Sequence, residues 1–256
     1  MSSTDQFADT ITYRSDWYRE YRHLRGVDEI KKRLERDALF HALAERGQPA
    51  GRMLDVGTAT GRYPMLFARA GWRSVGLDVA DAAVAMAREE LRRSDVTDRV
   101  ELVCGDIRTV TLPERSFDLV TFMMGTFAHI PDADRIDTLA TVHSLLAPGG
   151  CVVVSNWNTS WPDGRMLSLY GSADREWLLR ATPAPEETAA MLTAAGFGTV
   201  GVQHFCPFTD AQIDHWIGSH EDSPDRIQAY MLNNNISTPG QMHLVVGAKD
   251  AAGTGE

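Results

Sequence analysis

The sequence predicts a doubly wound α/β domain, in which a parallel sheet is covered by helices on both faces. Short, nearly apolar segments alternate with helical segments of about ten to fifteen residues, which is typical of parallel sheets. The chain has 256 residues, enough for one large domain with a full hydrophobic core. The predicted strands are Arg52–Val56, Ser74–Leu77, Val100–Cys104, Phe117–Met123 and Cys151–Val154.

An amphipathic helix precedes the first strand. Apolar residues recur there every three or four positions, which places them on one face of a helix, and charged residues lie between them. Gly47 and Pro49 predict its end. The apolar positions are Val27, Ile30, Leu34, Ala38 and Ala42, and the charged ones are Glu29, Lys31, Lys32 and Arg33.

The second half of the chain is less regular. A helix opened by Asp132 runs to Leu146 and is stopped by Pro148, Gly149 and Gly150. Residues 156–183 are rich in tryptophan but show no clear period. The later predicted helices are Pro185–Ala195, Thr209–Gly218 and Pro224–Leu232, and the later strands are Thr199–Phe205 and Met242–Ala248.

Composition excludes several classes of protein. The net charge of −10 disfavours nucleic acid as a partner, because such binding depends on cationic residues. The longest nearly apolar segment, Leu119–Ile130, is too short to span a bilayer, and the N-terminus does not resemble a secretory signal. Three isolated cysteines and no zinc-type spacing predict no metal site. We therefore expect a soluble, cytoplasmic protein.

The most informative segment is residues 54–61, LDVGTATG. A buried strand enters a turn whose glycines let the backbone approach a ligand closely. The spacing differs from the G-x-G-x-x-G of dinucleotide enzymes, and no Lys-Ser/Thr pair follows Gly61 as a phosphate loop requires. The pattern therefore disfavours a pyrophosphate ligand and a nicotinamide dehydrogenase.

This segment resembles the glycine-rich signature of class I S-adenosylmethionine-dependent methyltransferases, an acidic residue followed by G-x-G-x-G. Asp55, Gly57 and Gly61 match it, and Ala59 stands where the middle glycine often falls. Further matches follow in the family's order over about residues 53–205 and in the final strand. They are Asp78, Gly105-Asp106-Ile107, Phe117-Asp118-Leu119-Val120, Leu146-Ala147-Pro148-Gly149-Gly150 and Ala195-Gly196-Phe197.

The resemblance implies a Rossmann-like, seven-stranded sheet with an antiparallel last strand, Met242–Ala248. It also implies S-adenosyl-L-methionine as cofactor and S-adenosyl-L-homocysteine as product. In the family, the residue matching Asp78 accepts hydrogen bonds from both ribose hydroxyls. The residue matching Asp106 binds the adenine amino group, and the one matching Ile107 packs on the adenine ring. The cofactor residues so predicted are Asp55, Gly57, Thr58, Ala59, Gly61, Asp78, Val79, Asp106, Ile107, Met123, Tyr13 and Trp17.

Tyr13 and Trp17 belong to an aromatic N-terminal segment. In similar enzymes an N-terminal helical arm folds over the cofactor and closes the site, which would exclude water during transfer. A simple packing helix is the alternative.

His129 is the candidate catalytic residue. It lies just past the fourth strand, where ligands gather at the carboxyl ends of parallel strands, and it could deprotonate a hydroxyl or amine nucleophile. Alternatively it only orders the loop near the cofactor, as a histidine does here in many members of the family.

Several aromatic residues and one amide are candidates for binding the substrate. Asn156 and Trp157 follow the fifth strand, where substrate contacts often occur, and the others could form an aromatic pocket. Core packing explains each of the aromatic residues equally well. The predicted substrate residues are Asn156, Trp157, Trp161, Trp216 and Tyr230.

These features predict a single methyltransferase domain over residues 1–250 with a frayed tail at 251–256. We expect a helical N-terminal cap at 1–50, a cofactor-binding half at 51–156 and substrate-cap inserts at 157–183 and 207–238. The predicted reaction is methyl transfer to an O, N or C atom of a small molecule by a monomer or homodimer. The alternatives are non-methylating chemistry on the same fold and a non-catalytic cofactor-binding protein.

Overall fold

A computed structural model describes Glu20, His23 and residues 25–161, 171–219, 223–236 and 238–251. The helices are α1 (Val27–Glu45), α2 (Arg62–Arg69), α3 (Asp81–Arg92), α4 (Arg135–Leu145), α5 (Ser172–Ala181), α6 (Pro185–Ala194), α7 (Asp210–Ser219) and α8 (Pro224–Asn233). The strands are β1 (Arg52–Val56), β2 (Arg73–Asp78), β3 (Val100–Cys104), β4 (Phe117–Phe122), β5 (Leu146–Trp157), β6 (Thr199–Phe205) and β7 (Met242–Ala248). Short 3-10 helices, Thr126–His129 and Asp132–Asp134, follow β4.

The seven strands described form one sheet in the order β3-β2-β1-β4-β5-β7-β6. The first five strands are parallel, and β7 runs antiparallel to both β5 and β6. The predicted sheet with an antiparallel last strand is therefore confirmed. The strand order reverses between β1 and β4, and at such a switch point the ligands of doubly wound sheets bind beyond the carboxyl ends of the strands.

Helices cover both faces of the sheet. Apolar side chains of α1 and α2 pack against one face, together with Met53, Leu119 and Val153. On the other face, α4 and α6 pack against alternate residues of the same strands, such as Leu54 and Val120. This alternation along each strand follows from the two-residue period of strand side chains. Within the described ranges, no helix is both long and apolar enough to cross a bilayer.

The charged residues of α1 do not all face solvent, although they lie between the apolar positions in sequence. Lys31 is fully buried, and its Nζ lies 2.7 Å from Asp210 Oδ1 on α7. Gln228 of α8 donates to the carbonyl oxygen of Leu34 and accepts from the backbone N–H of Cys206, each at 2.8 Å. Helices α7 and α8, between β6 and β7, therefore cover α1. They bury polar side chains that the spacing of the apolar residues in α1 predicted to face solvent.

Two elements differ from the sequence-based predictions. Strand β5 begins at Leu146 and includes the Pro148-Gly149-Gly150 segment that was predicted only to stop a helix, because Leu146 already pairs with Phe117 of β4, before the apolar segment begins. Helix α5 lies within residues 157–183, where no periodicity was recognised. The large apolar residues of α5, Trp177, Leu178 and Leu179, are consecutive in the sequence, so they do not show a helical period.

Candidate functional site

A glycine-containing loop after β1 lies at the switch point of the sheet. The backbone N–H groups of Gly57 and Thr58 donate to the carbonyl oxygen of Leu77 at 2.8 and 3.0 Å, which ties the loop to β2. Gly57 has a φ of 70°, and a Cβ atom on it would lie 2.3 Å from Thr126 Cγ2. Both the backbone conformation and the close approach to the loop after β4 therefore require glycine at this position.

Ala59 occupies the position of the family's middle glycine and has a φ of 49°. Its backbone N–H donates to Asp78 Oδ2 at 2.8 Å, which adds a further link between the loop and β2. An alanine in this conformation is strained, since its Cβ crowds the carbonyl oxygen. The substitution of glycine by alanine is thus less neutral than its single methyl group suggests.

Replacing Ala59 with glycine should raise the free energy of unfolding by up to about 1 kcal/mol, because relief of the left-handed strain exceeds the added chain entropy. Denaturant unfolding measures this. Ala85→Gly, at an exposed position inside α3, is the matched control and should lower stability by about 1 kcal/mol. A lower stability for Ala59→Gly would contradict the strain assigned to this loop.

Asp78, at the end of β2, accepts hydrogen bonds on both carboxylate oxygens. Oδ2 accepts from Ala59 N at 2.8 Å and Oδ1 from Ala80 N at 2.9 Å. The residue is 6% exposed, and burial raises the pKa of the carboxyl. Each oxygen retains capacity for one more hydrogen bond, a pair of acceptors suited to a diol. The adjacent Val79 is 43% exposed and offers an apolar surface beside these acceptors.

Asp106 follows β3 and is paired with Arg108, a residue that the sequence analysis did not single out. Arg108 Nη2 lies 2.6 Å from Asp106 Oδ2, and its Nη1 lies 2.6 Å from Asp134 Oδ2. Burial favours a higher pKa for Asp106, but the hydrogen bonds from Arg108 outweigh burial and lower the pKa. Asp106 is therefore held as an anion, and Arg108 donates two hydrogen bonds to each of its carboxylate oxygens.

Comparison with known proteins identifies the family of this chain. Residues 53–150 match a family model described as a methyltransferase domain. The chain is 30% identical over 189 residues to the ubiquinone/menaquinone biosynthesis C-methyltransferase UbiE of Methylobacterium nodulans, covering 64% of this chain and 73% of that relative. The chain belongs to the class I S-adenosylmethionine-dependent methyltransferases.

Two further comparisons agree with this assignment. The ubiquinone biosynthesis O-methyltransferase of Bradyrhizobium sp. is 28% identical over 131 residues, which cover 51% of this chain and 49% of that relative. This methyltransferase thus spans about half the length of that protein. The crystal structure of a SAM-dependent methyltransferase from Aquifex aeolicus is 18% identical, covers 88% of this chain and 98% of its own, and has a TM-score of 0.55, which shows the same fold.

The predicted family, enzyme class and cofactor are confirmed, and with them the predicted reaction, methyl transfer from S-adenosylmethionine to a small molecule. The residues present fit this cofactor. Asp78 offers two acceptors for a ribose diol, and the exposed side chain of Val79 offers an apolar surface for a ring. Gly57 leaves no space for a side chain where the loop turns.

Asp55 lies beneath the loop of this methyltransferase and is buried. Its Oδ1 accepts from Thr121 Oγ1 of β4 at 2.7 Å. Burial raises the pKa of Asp55 to about 7, the hydrogen bond from Thr121 opposes this rise, and the negative charges of Asp78 and Glu35 add to it. In this structure Asp55 joins β1 to β4, and three carboxyl groups lie near one another at the switch point.

The stability of the methyltransferase should fall with rising pH because of Asp55. An unfolded aspartate titrates near pH 4, so folding raises this pKa and the folded state holds an extra proton between pH 4 and 7. The stabilisation by this proton is full below pH 4 and is lost as the pH rises through 7.

Between pH 5 and 7 the free energy of unfolding of the wild type should fall by about 2 kcal/mol more than that of Asp55→Asn, as measured by urea unfolding. Parallel pH curves for the two proteins would contradict the raised pKa, and the exposed Asp98→Asn is the control.

His129 lies in the 3-10 helix that follows β4. Its ring centroid lies 5.4 Å from that of Trp177 on α5. Burial lowers the pKa of His129 to about 4, so the imidazole is neutral at physiological pH. A neutral imidazole can accept a proton, but a pKa of about 4 makes it a weak base.

The structure places the predicted substrate residues in different surroundings. Asn156 and Trp157 end β5 and are buried. The Trp157 ring lies so close to Gly125 that a Cβ atom there would be 3.0 Å from Trp157 Nε1. Trp216 packs edge-on against Phe208 with ring centroids 4.9 Å apart. Tyr230 is 64% exposed on α8. Trp161 follows β5 and is partly buried.

The remaining predicted cofactor residues are placed as follows. Ile107 and Met123 are buried beside the carboxyl ends of β3 and β4. Tyr13 and Trp17 lie outside the described residues. In the part of the chain that the structure describes, no group of three or more histidine, cysteine, aspartate or glutamate side chains could hold a metal ion.

Sequence reasoning missed Glu35 of α1, which reaches the carboxyl edge of the sheet. Its Oε2 accepts from Tyr63 Oη at 2.5 Å, and its Oε1 accepts from Met124 N at 2.8 Å and from Ser155 Oγ. Burial raises the pKa of Glu35, and these hydrogen bonds oppose the rise. The sequence offered one signal for this residue. Glu35 is four residues after Lys31 and four before Leu39, so the three side chains share one side of the helix, and that side is buried.

Proposed function

We propose that this methyltransferase methylates a small molecule at an O, N or C atom, with Asp78 holding the cofactor ribose. The geometry of Asp78 carries the proposal, since both of its oxygens are held by the backbone and each retains capacity for one hydroxyl donor. Asp106, held by Arg108, accepts from the adenine amino group. Val79 and Ile107 contact the adenine ring.

The residues of this chain act mainly by positioning. When bound, S-adenosylmethionine would supply an electrophilic methyl group, and S-adenosylhomocysteine would be the leaving group. The loop of residues 57–61 and Asp78 position the cofactor. The carboxyl ends of β4 and β5 position the acceptor opposite the methyl group. Trp157 and Trp161 exclude water from the acceptor.

His129 assists by accepting the proton of a hydroxyl or amine acceptor at a ring nitrogen. Because its pKa of about 4 makes it a weak base, His129→Ala should slow turnover by about tenfold to a hundredfold without weakening cofactor binding. Rate measurement at saturating acceptor and calorimetric titration with S-adenosylhomocysteine test the two parts. His41→Ala on α1 is the control, and full activity of His129→Ala would leave His129 a loop-ordering residue.

The negative charge of −10 and the absence of a membrane-crossing helix among the described residues support a soluble, cytoplasmic enzyme without a nucleic-acid partner. It acts as a monomer or homodimer. The domain limits remain those predicted, a single domain at 1–250 with α5 in the insert at 157–183 and with α7 and α8 in the insert at 207–238.

The test is incubation of the purified protein with S-adenosylmethionine labelled in its methyl group and pooled small metabolites. We expect the label in a low-molecular-mass product and no label in added DNA, RNA or protein. Asp78→Ala is the inactive control. Consumption of an acceptor without transfer of the label would instead support the non-methylating alternative.

A further inference from the structure

Three polar side chains lie side by side across β5, β7 and β6. Asn156 on β5 pairs with His243 on β7, and His243 pairs with His204 on β6. Directly opposed residues of antiparallel strands project from the same face of the sheet. The ring centroids of His204 and His243 are 6.3 Å apart. We name Asn156, His243 and His204 the polar row.

The polar row is buried and its polar atoms lack partners. Asn156 and His243 are 0% exposed. Among the residues that the structure describes, Oδ1 and Nδ2 of Asn156, Nδ1 and Nε2 of His243, and Nδ1 of His204 have no hydrogen-bond partner. Buried polar groups are almost always bonded, because each unpaired group loses its hydration without compensation. Five such atoms on three adjacent residues therefore indicate a site that a ligand completes.

The polar row begins beside the loop that carries His129. The last residue of β4, Phe122, pairs with Val154, so Asn156 lies two residues beyond the end of β4 on the neighbouring strand. Gly125, in the loop after β4, donates its backbone N–H to the carbonyl oxygen of Ser155 at 3.0 Å. The other end of the row, His204, lies on the edge strand β6 and is half-buried.

We propose that the polar row binds an uncharged hydrogen-bonding group of the methyl acceptor, such as a carboxamide, a carbonyl or a hydroxyl. This inference rests on the proposed function, since it places the acceptor at the carboxyl ends of β4 and β5. A primary amide and a neutral imidazole each offer both a donor and an acceptor, which suits a group that needs both.

Two members of the row, Asn156 and His243, carry no charge with which to pair an ion. Burial lowers the pKa of His243 to about 4, and the neighbouring His204 lowers it further, so His243 is neutral at physiological pH. A carboxylate or ammonium group bound against Asn156 and neutral His243 would be buried without a counter-ion, which is costly. The polar row therefore selects an uncharged group over a charged one of the same shape.

Binding of four ring compounds to the full-length protein, saturated with S-adenosylhomocysteine, tests the proposal by saturation-transfer NMR titration. Benzamide and phenol are the uncharged probes, and benzoate and benzylammonium are the charged ones. We expect the wild type to bind benzamide and phenol at least about tenfold more tightly than benzoate or benzylammonium. His243→Leu and Asn156→Leu should each bind benzamide and phenol at least about tenfold more weakly than the wild type. His243→Gln retains a donor and an acceptor and should keep affinity within about threefold.

The Tm of the His243→Leu variant distinguishes a ligand-binding role of the polar row from a purely structural one. Because the free protein carries unpaired polar atoms in the row, His243→Leu should keep the Tm of the wild type or raise it by about 2–4 °C. A lower Tm with unchanged probe binding would assign the row to the core and overturn the proposal. Equal binding of charged and uncharged probes, or no binding of benzamide and phenol to the wild type, would also overturn it. Failure of the wild type to bind S-adenosylhomocysteine would instead refute the proposed function.

Discussion

Asp78→Ala should weaken the binding of S-adenosylhomocysteine by about a hundredfold, and Asp78→Asn by at least about tenfold. The alanine variant loses both acceptors for the ribose diol, and each hydrogen bond to a charged group contributes about 1.5–3 kcal/mol. It also frees the backbone N–H groups of Ala59 and Ala80, so the loop loses one of its links to β2. Asparagine keeps one acceptor oxygen, which explains the smaller expected loss. Calorimetric titration measures both affinities.

Asp98→Asn, an exposed change of the same chemical kind, is the matched control for Asp78→Asn and should leave the affinity unchanged. Circular dichroism of each variant must show the wild-type fold for the comparison to hold. If Asp78→Asn folded and bound S-adenosylhomocysteine as tightly as the wild type, Asp78 would not be the ribose acceptor.

Glu35→Ala should lower the free energy of unfolding by about 3–5 kcal/mol. The substitution leaves three buried donors, Tyr63 Oη, Ser155 Oγ and Met124 N, without their acceptor. It also removes hydrogen bonds that join α1 to α2, to β5 and to the loop after β4. Glu35→Gln resembles the protonated carboxyl that burial favours and keeps an acceptor oxygen, so it should cost at most about 1 kcal/mol.

Urea unfolding of the wild type and both variants measures these costs. Glu45→Ala, at the exposed end of the same helix, controls for the loss of a glutamate from α1 and should change stability by less than about 0.5 kcal/mol. A cost for Glu35→Ala as small as that of Glu45→Ala would show that the hydrogen bonds of Glu35 contribute little to stability.

The sequence predicted the sheet and the cofactor loop because both leave local signals. Apolar strands ending at glycine or aspartate repeat in order, and Asp78 ends β2 where the family's acidic residue stands. The same signals led to the five parallel strands and to β6 and β7, and the resemblance to the family implied that β7 is antiparallel. Strand β5 extends beyond its apolar segment, because pairing with β4 and β7 rather than side-chain polarity sets its ends.

Contacts between distant segments could not be predicted in this way. Glu35 and Lys31 look like ordinary polar positions of an amphipathic helix, and only the docking of α7 and of the β4 loop makes them buried. The strain at Ala59 depends on a φ angle that no residue type reveals. The polar row depends on the register of three strands, two of them separated from β5 in the chain by helices.

The central claim is that the carboxyl edge around β1 and β2 binds S-adenosylmethionine, and calorimetric titration with S-adenosylhomocysteine tests it most directly, with NAD as the control ligand. The structure predicts one binding site with a micromolar Kd for S-adenosylhomocysteine and no binding of NAD. Binding of NAD, or no binding of S-adenosylhomocysteine by a protein that is folded, would contradict the account.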